Sequence, residues 1–181
     1  MVEGEAFDPG ADALGEAKAY LRIVGSDEDM LTVRLLRSAG EHCEQFTGKV
    51  LLARTFTETV AATAAWQRLR RSPVRSITAV EGVRPDGLAA ALPASGYAID
   101  IDARGEGWVR VLSAGDAARV RVTYSAGLAA AWSGAPEALR HGILRFAAYL
   151  YTHRDGAGAG PPPAAVSALW RPWRRLGLRF R

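Results

Sequence analysis

The hydrophobic period of this chain changes twice, and those two changes constrain the fold more than any other feature. From Asp12 the pattern is helical: Leu14, Ala17 and Leu21 recur at i, i+3 and i+7, and Gly25 closes a short helix. Ser26 is the expected N-cap of a second helix, with Asp27, Glu28 and Asp29 in a first turn whose dipole favours acids. Leu31, Leu35, Ala39, Cys43 and Phe46 then form one stripe, which ends at Thr47-Gly48 after about 20 residues, or about 30 Å. Met30, Val33 and Leu36 widen that stripe, so the helix is expected to make contacts on more than one side.

After Lys49 the period drops to two. Thr55, Thr57 and Thr59 alternate with Phe56 and Val60, Trp108 and Arg110 with Val109 and Val111, and Arg119, Arg121 and Thr123 with Val120, Val122 and Tyr124. Tyr97, Ile99 and Ile101 share one strand face and Asp100 and Asp102 the other. Residues 54–126 are therefore expected as a β unit of about five short, mostly antiparallel strands. Pro136 opens a last long helix, to residue 155, with Leu139, Ile143, Phe146, Ala147 and Leu150 on one stripe. The order predicts an α+β fold: an α-helical frame with an inserted small, mostly antiparallel β unit and an extended C-terminal arm. Its parts are a flexible arm (1–11), one domain (12–155) built of helices 12–48, β unit 54–126 and helix 136–155, and a linker with a docking arm (156–181).

Composition excludes several classes. With 181 residues, 49% hydrophobic, the chain is long enough for a core and too apolar for disorder. A single cysteine, Cys43, rules out a disulfide scaffold. No run of about 18 apolar residues is present, so no membrane span is expected. The acidic start, Met1 to Glu5, does not read as a signal peptide, and a cytoplasmic origin is the default. Of 23 basic residues only Lys18 and Lys49 are lysines. Residues 1–48 hold ten acids and four bases, net −6; residues 49–181 hold nine acids and nineteen bases, net +10. Such a split points to one end meeting something acidic.

Catalytic signatures are scarce. His42 adjoins Cys43, but helical neighbours point about 100° apart and form no nucleophile–base pair, so Cys43 is expected in the core. His141 and His153 lack a ligand-spaced partner, and Asp100 and Asp102 are expected as solvated edge charges. The glycines of 156–160 lack the lysine and hydroxyl of a phosphate loop and, with Pro161 to Pro163, are expected as a hinge. No cofactor, metal or enzyme activity is expected. The stretch from Leu169 to Arg181 interleaves aromatics with arginines. It allows three readings: docking on a protein, folding back on its own chain, or contact with nucleic acid.

Ordered along the chain, short segments carry a resemblance. They are Leu14 to Ile23, Asp27-Glu28-Asp29, Glu44 to Lys49, Pro73 to Val80, Gly96 to Asp100, Val120 to Gly127, Ala135 to Arg140, Ala147 to Tyr151 with Arg154, and Ala168 to Pro172 with Arg174 and Arg175. Together, over about residues 13–176, the chain resembles the head–tail connector (adaptor) proteins of long-tailed bacteriophages and phage-derived gene transfer agents. Trp170 departs from the small or aliphatic residue expected there, and residues 84–92 carry no family pattern.

The resemblance implies a non-enzymatic ring in the particle neck, usually a dodecamer, assembled in the bacterial cytoplasm. It implies a portal protein on one side, a tail-side connector or terminator on the other, and DNA passing through without sequence-specific contact. Leu169, Trp170, Arg171, Trp173, Arg174 and Arg175 are the expected portal-docking group, and Leu31, Leu35, Leu36, Phe146 and Leu150 the expected subunit interface. The acidic first helices are expected at the channel or the tail side, where an acidic lumen would repel DNA phosphates. Loss of residues 160–181 is expected to leave a folded chain. The alternative reading is a basic DNA-binding accessory protein.

Overall fold

The computed structural model describes residues 2–153 and 161–175. In chain order its elements are β1 (Val2–Gly4), α1 (Gly10–Leu21), α2 (Asp29–Thr47), β2 (Arg54–Ala61), β3 (Gln67–Arg68), β4 (Val74–Val83), β5 (Ala89–Ala91), β6 (Tyr97–Ile101), β7 (Gly107–Val111), β8 (Arg119–Ala126), α3 (Glu137–Thr152) and α4 (Ala164–Trp170). The fold is α+β. Two compact units divide the chain: residues 1–6 with 53–128, and residues 7–52 with 129–181.

The β unit is built from the alternation seen in the sequence. β8 lies at the centre of a five-stranded sheet ordered β1-β2-β8-β4-β5, with antiparallel pairing throughout. Val120, Val122, Tyr124 and Ala126 of β8 are buried, and the residues between them point the other way. β3, β7 and β6 form a second antiparallel sheet, with β6 as an outer strand. One carboxylate sits in the core of this unit. Glu58 is 2% exposed; it accepts the Arg70 N–H at 2.9 Å and the Tyr124 hydroxyl at 3.1 Å, and lies 3.3 Å from the Arg70 guanidinium. Those donors satisfy a charge whose burial would otherwise be costly. Burial, then the Glu58 charge, push the Tyr124 phenol up from its ordinary value.

In the helical unit, α2 and α3 pack together, with α1 and α4 against them. The buried register of α2 is Thr32, Leu36, Ala39, Gly40, Cys43 and Thr47, about one residue out of step with the expected stripe. Two threonines make this possible. The Thr32 hydroxyl donates to the Glu28 carbonyl at 2.9 Å and the Thr47 hydroxyl to the Cys43 carbonyl at 2.7 Å, so both are buried without an unpaired polar atom. Gly40 has a role too: a Cβ there would lie 2.3 Å from the Phe7 ring, which covers this spot and is 1% exposed.

Several expectations are corrected here. The loose arm is partly ordered, since β1 pairs with β2 (Gly4 opposite Phe56) and Phe7 enters the helical core. Eight strands are present among the described residues where about five were expected, because β1, β3 and β5 are only two or three residues long and too short to show a period. Ser26 is not an N-cap; α2 begins at Asp29 and no side chain caps it. The first helix stops at Leu21, before Gly25, where Arg22 turns left-handed (φ 59°) and the Ile23 N–H donates to the Lys18 carbonyl. Residues 156–160 of the expected hinge lie outside the described residues.

Candidate interaction surfaces

The described part of the C-terminal arm, residues 161–175, turns back onto its own unit. Pro163 precedes α4, whose Val166 and Trp170 are buried. Trp170 sits between α2 and α3, its ring centroid 5.9 Å from Phe46 and 6.1 Å from Phe146. Gly142 makes the room, since a Cβ there would lie 2.2 Å from Trp170 Nε1. A short 3-10 turn, Arg171–Trp173, follows, and the Arg175 N–H donates to the Thr47 carbonyl at 2.7 Å, satisfying a free carbonyl at the end of α2. The Arg174 guanidinium lies 5.6 Å from the Phe46 ring centroid, and Lys49 Nζ lies 5.9 Å from that of Trp173.

The expected docking group is thus split. Trp170 is 0% exposed and belongs to the core of its own unit, which corrects its placement as a docking anchor. Arg171 and Arg174 are exposed, while Leu169, Trp173 and Arg175 are half-buried. With Lys49 they form a basic surface around the end of α2. The structure also revises the expected effect of removing residues 160–181, because that cut strips Val166 and Trp170 from the core.

The expected subunit-interface group splits as well. Leu36 and Phe146 are 0% exposed inside the helical unit and are corrected to core residues. Leu31, Leu35 and Leu150 are half-buried. Sequence reasoning missed the apolar corner between α1 and α2, where Tyr20, Val24 and Met30 are largely exposed. In the sequence Met30 widens the expected stripe; only the buried register that starts at Thr32 sets it about 200° away from the packed face. Around it the acids are partly consumed. Lys18 meets Asp29 at 2.5 Å, the Tyr151 hydroxyl donates to Glu28 at 2.7 Å, and Arg140 pairs with Glu16 at 3.2 Å and with Glu137.

In the β unit, Arg84, Arg119 and Arg121 line an open cavity of about 470 Å3 with Thr59 and Pro85. Arg84 is held by Asp86 at 3.5 Å. The candidate catalytic groups do not converge. Cys43 is 1% exposed, and burial followed by the Glu44 charge push its thiol well up, so it is a poor nucleophile. His42 packs edge-on against Phe146 with Nδ1 at the Ser38 carbonyl, and His153 stacks on Tyr149. Asp102 closes the β6–β7 turn, accepting the Glu106 N–H at 2.9 Å and the Arg104 N–H at 2.8 Å; the first of these, above all, holds its carboxyl below the usual range. Asp100 is exposed on β6. Among the described residues no three His, Cys, Asp or Glu side chains gather as a metal set.

The chain is similar to chains of gene transfer agent particles. One is a chain in the neck of an empty particle computed with C6 symmetry, at 27% identity and a TM-score of 0.78, covering 98% of this chain and 97% of that one. A second, from the virion of a native particle, has 28% identity and a TM-score of 0.75 over the same shares. A third, from the neck of a native particle computed with C12 symmetry, has 28% identity and a TM-score of 0.74, again over 98% and 97%. No family model and no curated protein matches the chain. The likeness spans both units, and the described residues contain no helix long and apolar enough to cross a membrane.

Proposed function

We propose that this protein is a structural, non-enzymatic subunit of a particle neck, forming a closed ring between portal and tail through which DNA passes. The observation that carries the reading is the end-to-end likeness, 98% of this chain, to neck chains solved with sixfold and twelvefold symmetry. A closed ring needs two different lateral faces on each copy. The half-buried Leu31, Leu35 and Leu150 and the exposed Tyr20, Val24 and Met30 supply apolar surface for one of them. The basic group Lys49, Arg171, Arg174 and Arg175, with Leu169 and Trp173, is the portal-facing candidate, suited to acidic side chains. The tail-side partner meets another face of the ring.

The DNA-binding alternative is less well supported by the tail. Base stacking needs free aromatic faces, yet Trp170 is buried and Trp173 lies under Lys49. The test is genetic and visual. Particles assembled without this chain are expected to yield filled heads and separate tails. Complete, tailed particles in its absence would overturn the proposal.

A further inference from the structure

The loop between α1 and α2 holds an apolar side chain out into solvent. Arg22 (φ 59°) and Gly25 (φ 87°) both take the left-handed conformation, and Val24 between them is 97% exposed. The loop is braced at both ends. The Ile23 N–H donates to the Lys18 carbonyl at 2.9 Å and the Asp29 N–H to the Ser26 carbonyl at 3.1 Å, while Lys18 Nζ donates to the Gly25 carbonyl and to Asp29. A single exposed aliphatic is ordinary, but one fixed on a tied loop is a preformed knob, and fixing it beforehand lowers the cost of docking it. Asp27, three residues on, is exposed and makes no hydrogen bond or ion pair among the described residues.

The β unit carries a hole of matching character. The cavity of about 470 Å3 beside the β4–β5 turn has apolar walls, Val83, Pro85 and Ala118, and a rim of Arg84, Arg119 and Arg121. Arg119 and Arg121 are two residues apart on β8, so they leave the same face of the sheet about 7 Å apart. Neither makes a hydrogen bond or ion pair among the described residues, whereas Arg84 is held by Asp86. Glu81 stands opposite Arg121 in the β4–β8 register. With Glu81 and Asp86 counted against the three arginines, the rim keeps a net charge of +1; the stretch from Lys18 to Asp29, with two bases and three acids, has −1.

We propose that the α1–α2 loop of one copy seats Val24 in the arginine-rimmed cavity of the next copy, with Asp27 meeting Arg119 and Arg121. The inference rests on the ring reading above. A ring of identical copies joins two different patches of the same chain, and both patches are present here, one on each unit. The apolar walls take the valine, and the two unpaired arginines supply charge-assisted bonds to the carboxylate.

The test uses particles assembled from an equal mixture of two full-length variants, Val24→Cys and Ala118→Cys, both at exposed positions that the fold tolerates. The buried Cys43 does not compete, being 1% exposed. Mild oxidation is expected to give a disulfide-linked heterodimer at least tenfold more abundant than a control mixture of Val24→Cys with Arg75→Cys, whose second site is exposed but outside the cavity. A charge exchange supplies the second readout. Asp27→Arg and Arg121→Glu are each expected to lower incorporation into necks at least fivefold, and the double variant to restore it to within twofold of the unaltered chain. Necks with both cysteine variants but a heterodimer yield equal to the control, single charge variants that enter necks normally, or a double variant no better than the singles would overturn the contact and leave the ring standing. An unaltered chain absent from the necks would overturn the ring reading itself.

Discussion

Replacing Gly142 with alanine pits two effects against each other. In an exposed helix the change is stabilising, because glycine costs up to about 1 kcal/mol relative to alanine in a helix interior. Here the new Cβ would lie 2.2 Å from Trp170 Nε1, 2.8 Å from Cδ1 and 3.0 Å from Cε2. The indole is fully buried, with the Phe46 and Phe146 ring centroids 5.9 and 6.1 Å from its own. Overpacking of this kind costs about 1–3 kcal/mol. The clash wins, and Gly142→Ala is expected to destabilise the helical unit by about 1–2 kcal/mol, lowering the thermal midpoint by about 2–8 °C. Circular dichroism on heating measures this directly. Trp170 Nε1 makes no hydrogen bond among the described residues, so Trp170→Phe removes the clashing atoms without orphaning a partner. The double variant is therefore expected to be about 1 kcal/mol more stable than the sum of the single changes predicts. A midpoint that rises with Gly142→Ala would refute the seating of Trp170 against α3, and with it the folded-back arm.

Other outcomes follow from the same geometry. Glu58→Gln is expected to cost about 1.5–3 kcal/mol in urea denaturation, because the buried carboxylate loses its charge-assisted bonds to Arg70 and Tyr124. The Tyr124 phenol is raised in the folded state, so its protonated form is favoured there; its share of stability is complete below about pH 10, the unfolded value, and is lost as pH climbs above it. Tyr124→Phe is expected to flatten that alkaline decline in a pH series of melts. Phe7→Ala is expected to cost about 3–5 kcal/mol, since it empties the site above Gly40. Cys43 is expected to resist thiol reagents until the helical unit unfolds, and rapid labelling of the native chain would contradict its burial.

The periodic parts of the fold were readable because each element had to bury one face. The three long helices and the strands around Phe56, Val109 and Val122 announced themselves in that way. What escaped were elements set by pairing partners rather than by their own pattern. β1 has three residues and β5 is a run of alanines, so neither carries a period. The register of α2 slipped because Thr32 and Thr47 look polar in sequence yet satisfy their hydroxyls within the helix. Trp170 was the hardest residue to place. Its arginine neighbours suggest a docking arm, and only the distant Gly142 reveals the slot that takes the indole. The same partnership explains how a large aromatic stands at a position expected to hold a small one.

Imaging of the assembled particle, with this chain traced in the density, tests the account most directly. The expected result is a closed ring of copies at the neck, between portal and tail, with DNA or an open channel at its centre. Finding the chain bound along DNA inside the head, or outside a ring altogether, would contradict it.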